Sequence, residues 1–319
     1  MLRAKIGNQQ REWFGELEQY FNCFRKQIIG IDKKFLTPYG EMPIIYADWT
    51  ASGRLYKPIE DKIAKSFGPY MANTHTESNQ TGSFMTNAYH HAKQIIKKHV
   101  NASQDDVILL DGFGMTSVIN KFQRILGLRI PEKWKPRLEL KPEERPVVFI
   151  THREHHSNHT SWLETIADVV IVEPDEKGNV QPQQLDKQLK LYTDRAMKIG
   201  AFTACSNVTG LITPYHEMAS VMHKHGGFCI VDFAACAPYT NIDMHPENLD
   251  EQLDAICFSP HKFLGGPGTS GVLLFNKKLY SNCVPDHPGG GTVKWTNPWG
   301  DKSYYEDIET REDGGTPGI

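Results

Sequence analysis

Phe258-Ser259-Pro260-His261-Lys262-Phe263-Leu264-Gly265-Gly266-Pro267-Gly268 is the stretch around which the rest of the chain arranges itself. The apolar run Ala255-Ile256-Cys257-Phe258 reads as a buried strand leading into it, and Ser270-Gly271-Val272-Leu273-Leu274-Phe275 reads as another leading away. Between the two stands one lysine, Lys262, flanked by hydroxyl and imidazole donors and followed by a Gly/Pro-rich turn. A lysine at a strand end in apolar surroundings is partly desolvated; its ammonium form is disfavoured and its amine becomes a usable nucleophile. The bland alternative is a solvated lysine on a surface turn, where most lysines are found.

Working outward, short apolar runs recur at 107–110, 147–150, 169–172, 201–204 and 228–231. Segments of helical period lie at 115–126, 159–166, 182–191 and 214–224. With the two strands around Lys262, this alternation predicts an α/β fold, a three-layer αβα sandwich on a mostly parallel seven-stranded sheet. Upstream, Trp13, Phe14, Leu17, Tyr20, Phe21 and Phe24 mark a helix within 9–29. We take 1–45 as an N-terminal helical arm, packed on the body or on a partner subunit, and 46–319 as the large domain. A short strand is expected from Ile44 into the small-residue loop Asp48-Trp49-Thr50-Ala51-Ser52-Gly53, with helices at 58–67 and 86–100. The polar stretch from Asn73 to Gly82 between those helices is too long for a plain connector and reads as a working loop.

Length and composition set the outer bounds. The chain has 319 residues, 39% hydrophobic and 23% charged, with a net charge of −3. That is an ordinary globular composition with no electrostatic case for nucleic acid or a membrane surface. No run is long enough to span a bilayer, and no secretory leader is visible. The six cysteines, Cys23, Cys205, Cys229, Cys236, Cys257 and Cys283, are unpaired in spacing and several sit in strand-like runs. They read as reduced thiols of a cytoplasmic protein.

In open α/β sheets, ligands gather outside the carboxyl ends of the strands. Unusual polar residues follow almost every strand of this chain. After 107–110 comes Asp111-Gly112-Phe113-Gly114-Met115-Thr116-Ser117, a glycine turn opening a helix, suited to a phosphate. After 147–150, four histidines, His152, His155, His156 and His159, fall within eight positions. They invite a metal reading, although no His-Glu-x-x-His pattern is present; the alternative is the ring of His155 stacked on a flat heterocycle. After 201–204, Asn207 is placed to bond a ligand oxygen. Asp232 ends the next strand and Lys262 the one after it. A plain Asp–Lys ion pair would satisfy these two, but not the phosphate-type turn, the imidazole or the Ser259 and His261 donors.

Pyridoxal 5'-phosphate accounts for all of them. Lys262 would bind its aldehyde covalently, Asp232 would keep the pyridine nitrogen protonated so that the ring draws electrons from the substrate Cα, and His155 would stack on the ring. Gly114, Met115, Thr116, Ser259 and His261 would hold the phosphate, Asn207 would contact the ring oxygen, and Ala234 completes the set; no metal is called for.

The segments Glu154-His155-His156-Ser157-Asn158, Ser206-Asn207-Val208-Thr209-Gly210, Val231-Asp232-Phe233-Ala234 and Ser259-Pro260-His261-Lys262 with the following Gly-Pro-Gly resemble the class V aminotransferase family. The nearest branch in likeness is the cysteine desulfurase/selenocysteine lyase group. The resemblance implies a fold-type-I pyridoxal-phosphate enzyme, usually a homodimer, with Gly289-Gly290-Gly291-Thr292 approaching the partner's cofactor phosphate and Thr76 near the substrate. Ala235 stands where desulfurases of the family carry a glutamine. The last residues, Arg311 to Ile319, resemble the family's Gly-Thr-Pro segment. The expectation is therefore that the small C-terminal domain, with the family's substrate-carboxylate arginine and persulfide cysteine, is absent here, and none of the six cysteines is assigned that second role.

The reading is an enzyme acting at the Cα-amino group of an amino acid, with desulfuration or selenium elimination favoured and a sulfur-accepting protein as a further partner. Amine transfer or another lyase reaction, a cofactor-holding homologue without turnover, and a His-cluster metal hydrolase are its rivals.

Overall fold

The structure is a computed structural model that describes residues 8–316, and the side chains of 15–316. In chain order the elements are α1 (Asn8–Arg25), β1 (Lys34–Thr37), β2 (Gly40–Pro43), α2 (Lys57–Lys62), α3 (Gln80–His99), β3 (Asp106–Asp111) and α4 (Gly114–Ile125). There follow β4 (Val147–Thr151), α5 (His156–Leu163), β5 (Asp168–Val172), α6 (Pro182–Leu189), β6 (Lys198–Thr203), α7 (Tyr215–Lys224), β7 (Phe228–Asp232) and β8 (Ala255–Phe258). The chain continues with β9 (Gly271–Asn276), β10 (Val293–Thr296), β11 (Lys302–Tyr304) and α8 (Ile308–Glu312).

Seven strands form one sheet in the order β3-β9-β8-β7-β6-β4-β5. Strand β9 runs antiparallel to both neighbours, and the pairings from β8 to β5 are parallel. A parallel sheet must bury both faces, so its strands alternate between two cores rather than between core and water. Val147 and Phe149 of β4 pack with Leu185, Leu189, Met218 and Met222 from α6 and α7. Val148 and Ile150, one residue out of step, pack with Val118, Phe122 and Trp162 from α4 and α5. This is the three-layer αβα sandwich expected, and it leaves the carboxyl ends of β3, β4, β6, β7 and β8 on one edge.

Several expectations are corrected in detail. The segment 44–46 forms no strand: Ile44 N bonds Lys33 O beyond the β1–β2 hairpin, Ile45 is 87% exposed, and the Tyr46 hydroxyl instead pins the following loop through Asp48 O and Ser52 O. Without a neighbouring sheet edge the run has nothing to pair with. The N-terminal arm contains that hairpin as well as α1; Trp13 and Phe14, expected to mark α1, lie outside the described side chains. Helix α3 starts at Gln80, capped by Asn79, so the polar stretch from Asn73 is shorter as a loop than expected. Helix α5 starts at His156 rather than near His159, because the His155 ring nitrogen accepts from Ser157 N and caps it.

Candidate active site

The strand ends enclose a cavity of about 410 Å³. Lys262 enters it from the short helical turn after β8, and Asp232 enters from the end of β7. Neighbouring registers bring them there: Asp232 pairs with Cys257 of β8 on one side and with Thr203 of β6 on the other. Of the residues singled out from the sequence, Met115, Thr116, His155, Asn207, Asp232, Ala234, Ser259, His261 and Lys262 all line this cavity.

Gly114 stands directly behind the lining. It has φ +60°, and a Cβ there would come within 2.5 Å of the His261 ring and 2.7 Å of Ser259 Oγ. Only glycine lets the first turn of α4 close onto the turn after β8. That closure is made by the Met115 N–H donating to Ser259 Oγ at 2.8 Å. Thr116 and Ser157 share a hydroxyl hydrogen bond of 2.7 Å, joining the starts of α4 and α5 at the rim.

Thr292 lies elsewhere: it is fully buried, and its hydroxyl donates to Gly289 O at 2.7 Å. Thr76 and Gly291 line a separate cleft with Lys93 and Asp313.

The electrostatics of the cavity centre on Asp232 and Lys262. Asp232 is 3% exposed, and among the described residues its side chain receives one hydrogen bond, from Ala234 N at 2.8 Å. Burial pushes its pKa up to about 6, against the opposing pull of the Ala234 N–H and Lys262. Lys262 is half-buried and forms no ion pair among the described residues. Burial lowers its pKa, while Asp232, Asp48 and Cys236 pull it back up. His155 and His261 are both lowered, by burial first and then by the nearby Lys262 charge. Because His155 Nδ1 accepts from Ser157 N at 3.2 Å, the proton of its neutral ring sits on Nε2.

The four histidines do not converge. His155 faces the cavity, while His152 and His156 border an adjoining cleft together with Arg153 and Lys177. Among the described residues no group of three or more His, Cys, Asp or Glu is arranged to hold a metal ion.

Sequence reasoning assigned no role to Asp48, Thr50, Ala51, Phe113, Ser157, Thr203 and Cys205, which also line the cavity, as does Ala235. The loop 48–53 is carried there by Gly53, whose N–H bonds His261 O at 2.8 Å and whose missing Cβ would overlap Phe263 O at 1.8 Å. A small-residue loop ending in glycine is the signal available in the sequence, but it does not say what the loop docks against.

The residues present fit pyridoxal phosphate by their own chemistry. A desolvated amine faces a buried carboxylate with a free oxygen, an imidazole borders both, and a glycine-opened helix start of the kind that receives phosphate closes the far side. No helix among the described residues is long and apolar enough to cross a membrane.

Comparison with known proteins gives the family and the fold. The family model described as aminotransferase class-V matches residues 45–319. A probable cysteine desulfurase of Halalkalibacterium halodurans is 27% identical over 279 residues, covering 86% of this chain and 63% of that protein. The cysteine desulfurase of Synechococcus elongatus is 28% identical over 282 residues, covering 87% of this chain and 41% of that one. The chain thus spans less than two thirds of the length of either relative. Among solved structures, the cysteine desulfurase CsdA of Escherichia coli superposes with a TM-score of 0.68 at 22% identity, covering 93% of this chain and 67% of that chain. The apo cysteine desulfurase of Thermococcus onnurineus superposes with a TM-score of 0.67 at 21% identity, covering 93% of this chain and 66% of that chain.

Proposed function

We propose, from the premise that this chain belongs to the aminotransferase class-V family, that it holds pyridoxal 5'-phosphate at the strand-end cavity and acts at the Cα-amino group of an amino acid. The observation that carries this reading is the meeting of Lys262 and Asp232 from consecutive strand ends in one cavity with the start of α4. Lys262 is the tether for the aldehyde. Asp232 would oppose the ring nitrogen and His155 would lie against the ring face, with Ala234 lining the cavity beside them. Asn207 would meet the ring oxygen, and Gly114, Met115, Thr116, Ser259 and His261 would receive the phosphate.

When bound, the cofactor withdraws electrons from the substrate Cα, so that a proton or a Cβ substituent can leave. The chain supplies the proton chemistry. Lys262, its ammonium form disfavoured by burial, moves the proton at the substrate Cα. The neutral His155 offers its Nε2 proton to a departing group. Asp232, buried in the same cavity as the lysine, would keep a proton on the ring nitrogen.

The favoured reaction is cysteine desulfurase- or selenocysteine lyase-like, on the likeness of the relatives. A sulfur-accepting protein is the partner such chemistry calls for. Ala235 in the cavity wall, at the position where desulfurases of the family commonly carry a glutamine, favours amine transfer or another elimination as the second reading. A homodimer suits the apolar surface left by α1 and the β1–β2 hairpin, where Tyr20, Phe21, Phe35, Leu36, Tyr39 and Met42 are all exposed.

The test is an amino-acid screen with the purified full-length gene product in the presence of pyridoxal phosphate. Alanine together with sulfide or selenide from cysteine or selenocysteine is the expected outcome. A keto acid with no sulfide would replace it by the aminotransferase reading, and no product from any amino acid would leave a cofactor-holding homologue.

A further inference from the structure

One carboxylate beside the cavity has no part in the scheme above. Glu154 lies between β4 and α5, immediately before His155. Its Oε1 accepts the Thr151 hydroxyl at 2.7 Å and the Thr151 N–H at 3.2 Å, and also the Thr203 N–H at 3.0 Å. Its Oε2 accepts Asn158 Nδ2 at 2.7 Å. These four donors come from the end of β4, the end of β6 and the first turn of α5. Asn158 is itself fixed: it is 1% exposed, its Oδ1 accepts Trp162 Nε1 at 3.0 Å, and its amide also reaches Ala201 O at 3.3 Å.

We propose that Glu154 is the positioning residue for His155: its carboxylate clamps the loop bearing that imidazole to the strand that pairs with β7, and so sets the ring's place over Asp232 and Lys262. The role rests on the cofactor reading above. Three of the residues it ties together, or their direct neighbours, line the cavity: Thr203, which it bonds, and His155 and Ser157, which flank the clamp in sequence.

All four partners donate, so the clamp calls for the ionised carboxylate. Burial nonetheless holds the Glu154 pKa up to about 7, the bonds from Thr203, Thr151 and Asn158 opposing it and the charge of Asp232 adding to it. A glutamine cannot substitute. Its oxygen can keep either the Thr151 and Thr203 donors or Asn158, and its NH₂ then meets another donor. Asn158 cannot turn over to accept, because its oxygen is engaged by Trp162.

The experiment uses the purified protein, at a pH above the Glu154 pKa of about 7 so that the carboxylate is ionised, with and without pyridoxal phosphate. In the cofactor-free protein, E154Q is expected to raise hydrogen–deuterium exchange across residues 152–158 about tenfold, the loss associated with a broken charged hydrogen bond, with exchange in β7 and β8 unchanged. With the cofactor, E154Q should weaken binding about tenfold and reduce the visible circular dichroism band. H155A should do likewise, and the E154Q/H155A double variant should lose no more than H155A alone. Thr151→Val, which removes one donor and keeps the shape, should move each readout the same way by less, and it stands in if E154Q does not fold. Unchanged exchange at 152–158, or losses that add in the double variant, would overturn the role. If the wild-type protein shows no cofactor band, the reading of the cavity fails, and the exchange measurement still decides what Glu154 does.

Discussion

Helix α4 joins two regions that treat buried charge in opposite ways. Its first turn faces the cavity of Lys262 and Asp232; two turns on, it carries Lys121, 2% exposed. Lys121 Nζ lies 3.0 Å from Glu312 Oε2 and 3.7 Å from Asp286 Oδ2, and Asp286 is also held by both arms of Arg124 at 2.7 and 2.8 Å. Burial alone would raise Asp286, but its bond with Arg124 and the charge of Lys121 bring it below the usual carboxylate range. Asp232, more deeply buried and without such partners among the described residues, is raised instead. The paired cluster fixes α8 and the loop at Asp286 to α4, whereas the cavity keeps a carboxylate and an amine short of partners. Buried charges that serve the fold are satisfied within it, whereas buried ionisable groups left short of partners in a cleft mark a candidate functional site.

Breaking each region should therefore have different consequences. The largest effect is expected from Lys121→Met, which leaves the buried Glu312 carboxylate with only the neutral donors Tyr280 O–H and Asp286 N–H and should cost about 3–5 kcal/mol in denaturant unfolding. Lys262→Met in the cofactor-free protein should change stability by less than about 1 kcal/mol, since no partner is orphaned. A loss at Lys262 as large as that at Lys121 would erase the contrast.

The next effect is one of pH. The folded pKa of Asp232, about 6, lies above the value of about 3.9 for an unfolded aspartate. The unfolded chain thus gives up this proton first as pH rises. The stability contributed by Asp232 is present below about pH 4, falls between about 4 and 6, and is gone above. Asp232→Asn removes that slope, so the cofactor-free variant should match wild type near pH 4 and exceed it by roughly 3 kcal/mol near pH 7.5. An equal difference at both pH values would mean that Asp232 is not held above its ordinary value. Asp286 has the reverse sign: its stabilising contribution is lost only as pH falls through its lowered pKa.

The sheet and most of the cavity were legible in the sequence because both follow from short-range patterns. An apolar run that stops at a polar residue marks a strand end, and parallel strands put their ends on one edge, so Asp232, Asn207 and Lys262 could be gathered before any contact was known. The misses are contacts between distant segments. The loop at Asp48 reaches the cavity only because Gly53 docks on the turn around Lys262, and Lys121 finds Glu312 across 191 positions. Glu154 was in plain view beside His155. A glutamate between an arginine and a histidine reads as a solvated loop residue until the fold brings Thr203 and Asn158 around it. The expected strand at 44–46 failed for the complementary reason: apolar β-formers do not make a strand where no edge is free to receive them.

On the proposed reading, Lys262 is the amine that this fold prepares for an aldehyde. The direct measurement is to incubate the purified protein with pyridoxal phosphate, reduce it with borohydride and map the fixed cofactor by peptide mass spectrometry. The cofactor mass should appear on the peptide carrying Lys262 and disappear in Lys262→Met. Label spread over exposed lysines such as Lys277 and Lys294, and undiminished in that variant, would contradict the claim.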